Sequence, residues 1–151
     1  MANPESVAQF YLDSFGNGRI GYVQSTALNT TGNAVITIPL LVGGLTNAGA
    51  LAGSGSVIPR RVTVMGSNGN IALANVSITT SNDGNLSNVV VGNTVLTAVS
   101  TAGKYQDLTI TYTANTAITG FTTQALYVNV VTASGNTNTA SIAVYGDVVT
   151  F

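Results

Sequence analysis

The chain has no cysteine, no histidine and no tryptophan, and only 6% of its 151 residues carry charge. Each absence removes a class of function. Without cysteine there are neither disulfides nor thiolate metal sites, which excludes a small secreted domain stapled by disulfides. Without histidine the commonest general base and metal ligand is gone. Five acids against four bases leave a net charge of −1, so the basic surface that nucleic acid or an anionic membrane needs is missing. No apolar run approaches the roughly 18 residues of a membrane span. Met1-Ala2-Asn3-Pro4-Glu5 lacks the basic and apolar regions of a signal peptide. The expectation is synthesis in a cytoplasm without a cleaved leader, and neither nucleic acid nor membrane as a partner.

What is present is apolar and β-branched. Hydrophobic residues make up 45% of the chain, whereas charge falls far below the roughly 25% of an ordinary soluble domain. A free monomer of this kind lacks the repulsion that keeps proteins apart in solution. Either Thr, Asn and Ser solvate the surface, or partners cover much of it. We expect partners.

From Arg19 onward, apolar residues recur at every second position, the period of a half-buried strand. Ile20 to Leu28 is a first candidate. Ala34 to Val42 follows, with Pro39 pointing to an edge or a strand end. Gly43 to Ser56 reads as a long glycine-rich connection, and Val57 to Met65 as a strand. Ile71 to Thr80 alternates through Val76 and Ile78. Val89 to Val91 and Thr94 to Val99 are short runs broken by Gly92-Asn93. Leu108, Ile110 and Tyr112 alternate. Leu126 to Val131 and Ala140 to Tyr145 flank a connector of turn formers and read as an antiparallel hairpin. About eight short strands with almost no helix describe an all-β, single-domain antiparallel β-sandwich, jelly-roll-like.

Residues 1–18 stand apart from this expected 19–151 domain. Asn3-Pro4-Glu5 has the order of a helix start. Val7, Phe10 and Tyr11 follow at helical spacing, and Phe15-Gly16-Asn17-Gly18 ends the pattern. With Tyr22 just beyond, Phe10, Tyr11 and Phe15 form an aromatic cluster. It either caps the core or is an N-terminal arm or short helix that packs on a neighbouring subunit.

Candidates for chemistry are few. The acids Glu5, Asp13, Asp83, Asp107 and Asp147 are scattered singly, while a glycosidase needs two carboxyl groups across one bond. Only Asp107 and Asp147 stand to approach one another in a sheet. Lys104 beside Gly103 is the single lysine, and no histidine activates a hydroxyl. Asn82-Asp83-Gly84-Asn85 lacks the spaced acids of a calcium loop and reads as a turn. Gly53-Ser54-Gly55-Ser56 has no following lysine and reads as a linker. No catalytic residue, cofactor or metal is expected, so the chain does not read as an enzyme. Arg60-Arg61, after Ile58-Pro59, is the one charge pair that stands out. It is either a solvated pair or a contact for a partner's carboxylate. The interface candidates are thus Phe10, Tyr11, Phe15, Tyr22, Arg60 and Arg61.

One order of segments is distinctive. Ile58-Pro59-Arg60-Arg61-Val62-Thr63-Val64 is followed by Gln106-Asp107-Leu108-Thr109-Ile110. Ala125-Leu126-Tyr127-Val128-Asn129-Val130 comes next, then Val144-Tyr145-Gly146-Asp147. From Val57 to Asp147 this resembles small tailed-bacteriophage virion proteins. The resemblance implies a β-sandwich built into a particle as a capsid decoration (cement) protein. Such a protein sits on the capsid surface, binds between major capsid protein subunits and clusters as a homotrimer. The alternatives are a tail, fibre or other minor virion protein, and a carbohydrate-binding jelly-roll module. The absence of Trp and the presence of only six Tyr weigh against sugar binding.

Overall fold

A computed structural model describes residues 18–39, 55–82, 89–111 and 125–150. Eight strands are found among them: β1 (Gly18–Ala27), β2 (Gly32–Pro39), β3 (Gly55–Met65), β4 (Asn75–Thr79), β5 (Val89–Val95), β6 (Gln106–Leu108), β7 (Ala125–Thr132) and β8 (Thr139–Thr150). They form two four-stranded sheets, ordered β1-β8-β3-β6 and β2-β7-β4-β5. Every pairing is antiparallel. The molecule is an antiparallel β-sandwich, as the alternation of its sequence implies.

The pairing is nested. β1 pairs with β8, β2 with β7, β3 with β6 and β4 with β5. The first four strands are therefore matched in reverse order by the last four, as in one long ribbon folded back and rolled over two sheets. β8 and β7 are the second strands of their sheets and pair along both edges.

Alternation fills the space between the sheets with aliphatic side chains. Val62, Val64, Ile142 and Val144 of the first sheet meet Ile38, Val76, Ile78, Leu126 and Val128 of the second, all fully buried. β-branched residues suit both the pleated backbone and a dense core. Pro39 sits where its missing N–H costs least, at the end of the edge strand β2.

One end of the sandwich is closed by four loops, and these explain where sequence patterning misleads. Ile71 to Thr80 is not a single strand, since only Asn75–Thr79 belongs to β4. Ile71 and Ala74 are buried while Leu73 is 70% exposed. This is the spacing of a turn, closed by Ala74 N donating to Ile71 O at 3.0 Å. Thr94 to Val99 is likewise a strand end followed by a turn, with Val99 N donating to Leu96 O at 2.9 Å. The two turns bond to each other through Ile71 N to Val99 O and Leu96 N to Ala74 O. In both, the buried side chains plug the core.

Gly92-Asn93, expected to break the apolar run, instead lies inside β5 at a register shift against β4. The extra residue bulges without ending the ladder. Leu108 and Ile110 do not share a strand. Leu108 ends β6 in the first sheet, while Ile110 bridges Val91 in the second, so the chain changes sheets between them. Gly55 and Ser56, expected in a linker, open β3 opposite Thr150 and Val149. Tyr112, residues 40–54, the Asp83-Gly84-Asn85 turn and residues 1–17 lie outside the described residues.

The largest correction concerns the closing hairpin. Both strands exist, but β7 and β8 lie in different sheets. Their connector, residues 133–138, crosses the open end of the core rather than folding β8 onto β7. It is held there by hydrogen bonds to other loops. Ser134 N donates to Leu28 O at 2.7 Å. The Asn136 and Asn138 side chains both donate to Asn70 O, at 2.8 and 3.1 Å. Asn68 Oδ1 accepts from Thr139 N at 2.8 Å. Amides thus satisfy backbone groups that would otherwise be stranded at the sheet ends.

Two outcomes test this account in urea unfolding. Asn136→Ala removes the donor to Asn70 O and the acceptor for Asn138 N, and should lower stability by about 1–2 kcal/mol. At Gly146 a Cβ would meet the Ile58 carbonyl and lie 2.9 Å from Pro59 Cα, so Gly146→Ala should cost about 1–3 kcal/mol. Gly92→Ala, with nothing within 4 Å of its Cβ, is the matched control and should be nearly silent.

Candidate functional site

The outer face of the first sheet gathers most of the chain's charge. Val62, Val64, Ile142 and Val144 point into the core, so Arg61, Thr63, Ala143 and Tyr145 between them point to the opposite side of the sheet, where Thr63 and Ala143 are buried as well, at 4% and 0% exposure. In register, Arg19 of β1 pairs with Tyr145 of β8, which on its other side pairs with Arg61 of β3. The Arg61 guanidinium carbon lies 4.7 Å from the centroid of the Tyr145 ring. That of Arg19 lies 4.6 Å from the centroid of the Tyr22 ring. Both are cation–π distances.

Two bulges make this arrangement. Strict alternation would send Arg19 and Tyr22, three residues apart, to opposite faces. A register shift between Arg19 and Gly21 lets Ile20 turn into the core and returns Tyr22 to Arg19's face. On the other side of β8, a shift between Pro59 and Arg61 leaves Arg60 as the extra residue. Its Nε donates to Asp147 Oδ2 at 2.9 Å, with the two side chains 51% and 45% exposed. Both bulges flank Tyr145-Gly146, and the missing side chain of Gly146 lets the Ile58 carbonyl lie against it. One row along, Thr63 Oγ1 donates to Asp107 Oδ1 at 2.5 Å.

Of the residues singled out in the sequence, Tyr22, Arg60 and Arg61 come together on this face. Phe10, Tyr11 and Phe15 lie outside the described residues. The carboxylate that Arg60 meets is in its own chain. Arg19, Tyr145 and Asp147 were not singled out as site residues. Arg19 carries no local signal, because only its bulge sets its direction. Tyr145-Gly146-Asp147 offered a signal, a glycine between an aromatic and an acid in an otherwise β-branched run.

The face holds two arginines beside tyrosine rings and one paired with a carboxylate. Each arginine offers up to five donors in a fixed fork, and stacking on a ring holds that fork in place. Asp107 and Asp147 stand opposite Thr63 and Ile58 of β3. That separates them by about 13 Å along the strands and about 10 Å across two strand spacings. A glycosidase pair needs no more than about 9.5 Å. Lys104 is exposed on a loop, where its backbone N–H donates to Thr101 O. The Ser67 hydroxyl also donates to Thr101 O, at 3.1 Å. Among the described residues no group of three or more Asp, Glu, His or Cys is placed to hold a metal. Asn75-Val76-Ser77, which matches a glycosylation acceptor pattern, is in β4 with Ser77 fully buried.

No match is found for this chain among protein-family models, curated proteins or solved structures. Its function is therefore read from the face itself.

A double-mutant cycle on Arg60→Ala and Asp147→Ala should give a coupling below about 1 kcal/mol that shrinks as salt is added, because both groups are half exposed. A larger, salt-insensitive coupling would make the pair a structural element of the sheet.

Proposed function

We propose that this chain is a bacteriophage virion structural protein of the capsid decoration (cement) type. On this reading it is a jelly roll that binds between major capsid protein subunits and stabilises the head. The observation that carries the proposal is the Arg–Tyr face. Three of the chain's four basic residues and two tyrosines stand on the outer side of one sheet, on a body otherwise short of charge. Arginine and tyrosine dominate the energetics of protein interfaces. A face of this kind on a chain whose described residues assemble no catalytic group suits a protein that works by contact.

Two further observations support the reading. The nested strand pairing is the connectivity that a jelly roll requires, a fold shared by viral capsid and lectin domains. Two of the segments that carry the resemblance to phage virion proteins also meet in space. Ile58 to Val64 of β3 lies against Ile142 to Asp147 of β8, so the two motifs are halves of one surface.

In this role affinity comes from many copies held in fixed geometry, which turns modest contacts into avidity. Self-association into a homotrimer on the capsid surface fits a chain of low charge. No cofactor is required.

The decisive experiment is the copy number of this chain in purified particles of its source, relative to the main shell protein. A number comparable with the shell protein is the expected result. A handful of copies would move the protein to the tail, a fibre or a vertex. Complete absence from particles would overturn the virion reading in favour of a binding module.

A further inference from the structure

The asparagines that tie the loop end of the sandwich are not bonded alike. Asn68 grips one residue of the facing segment twice. Its backbone N–H donates to Thr139 O at 3.1 Å, and its side-chain Oδ1 accepts from Thr139 N at 2.8 Å. Asn68 is exposed and is followed by Gly69. Among the described residues, no hydrogen bond engages the Gly69 N–H or the Asn68 Nδ2. We propose that Asn68 is a deamidation site of the folded chain, and that isoaspartate formed there unties the two loops.

The reaction needs only water and hydroxide. Gly69 N loses its proton to hydroxide and attacks Asn68 Cγ, closing a succinimide ring. The Cγ–Nδ2 bond breaks, and the nitrogen leaves as ammonia after taking a proton from water. A second water opens the ring. Opening at Cγ gives aspartate, and opening at the main-chain carbonyl of Asn68 gives isoaspartate, in which the chain runs through the side-chain carbons.

Three features favour this step here. Negative charge develops on Oδ1 during the attack, and the Thr139 N–H already points at that oxygen. A donor fixed in advance at a developing oxyanion lowers the barrier. The attacking nitrogen has no hydrogen bond to give up, and glycine sets no side chain beside it. The leaving nitrogen is likewise unbonded. The other asparagines of the mesh lack this combination. Asn70 precedes Ile71, whose N–H is committed to Val99 O at 3.0 Å. Asn138 precedes Thr139, whose N–H is committed to Asn68 itself, and its own Nδ2 donates to Asn70 O. Asn136 Nδ2 donates to both Asn70 O and Ser134 O.

The two products act differently on the loops. Aspartate keeps an oxygen for the Thr139 N–H and adds one negative charge. Isoaspartate inserts a methylene into the main chain just before Gly69. That position has no slack, because even a Cβ on Gly69 would run into the Asn138 side chain. A displaced Asn138 loses its bond to Asn70 O. Neither the reaction nor its consequence needs a partner, so the proposal is independent of the virion reading.

The experiment incubates the purified full-length chain at mildly alkaline pH, folded and in urea, and maps both samples by peptide mass spectrometry. Asn68 should convert in the folded chain, faster as pH rises, while Asn70, Asn136 and Asn138 stay intact. If both bonds to Thr139 had to break before ring closure, folding would slow the reaction more than about tenfold. A folded-state rate within about tenfold of the rate in urea, or above it, is therefore expected. A slower folded-state rate overturns the proposal, as does equal conversion at the other three asparagines. The aged chain should also unfold at lower urea concentration, in proportion to its isoaspartate content, whereas freshly prepared Asn68→Asp should match the fresh wild type. An isoaspartate-rich chain with an unchanged midpoint overturns the untying of the loops. So does an Asn68→Asp chain as unstable as the aged one, since charge rather than the longer main chain would then be the cause.

Discussion

The structure depends on one strand being hydrogen-bonded along both edges. β8 pairs with β1 on one side and β3 on the other, and its alternation sets the whole first sheet. Ile142 and Val144 face inward and seed the core. Ala143 and Tyr145 face the opposite side of the sheet, where Ala143 is buried as well. A slip of one residue in this register would exchange the two sets, taking Ile142 and Val144 out of the core and the tyrosine into it. The bulges beside Tyr145-Gly146 show how tightly that register is held. Both neighbours take up their extra residue at this level, Ile20 in β1 and Arg60 in β3, while β8 runs through.

The same constraint links stability to surface chemistry. A bulge in a purely structural sheet would be a local irregularity. Here each bulge redirects an arginine or the residues beside one. The Ile20 bulge puts Arg19 and Tyr22 on one face, and the Arg60 bulge brings its guanidinium to Asp147. Gly146 joins the two functions, because a side chain there would push away the Ile58 carbonyl and with it the strand that carries Arg60 and Arg61. The chain is poor in charge, and three of its four cations are on this sheet.

At the loop end, asparagine does work that charge or regular pairing would do elsewhere. Asn68, Asn70, Asn136 and Asn138 tie the 66–74 loop to the 133–138 connector by bonds to backbone groups. Neutral amides donate and accept at once, so they can bridge two sheets without the desolvation cost of an ion pair. The abundance of Asn in the sequence, which first reads as turn chemistry and solvation, is partly an inter-loop mesh.

The sequence by itself determined the all-β class, the eight strands, the position of Pro39 and most core residues. These follow from alternation, a property of neighbouring residues that needs no knowledge of the partner strand. It also put Arg60, Arg61 and Tyr22 among the contact candidates through scarcity alone. Tertiary structure decided which strands pair. Period-two patterning says that one side of β7 and of β8 is buried but not against what, so the two read as a hairpin until the bonds of Ser134, Asn136 and Asn138 carried their connector across the core. It also decided where Ile71 and Leu96 belong, because an apolar residue that plugs a sandwich end looks locally like the start of a strand. The Arg–Tyr face was likewise out of reach. Its residues come from three strands as much as 126 positions apart, Arg19 to Tyr145, and only register and two bulges bring them to one surface.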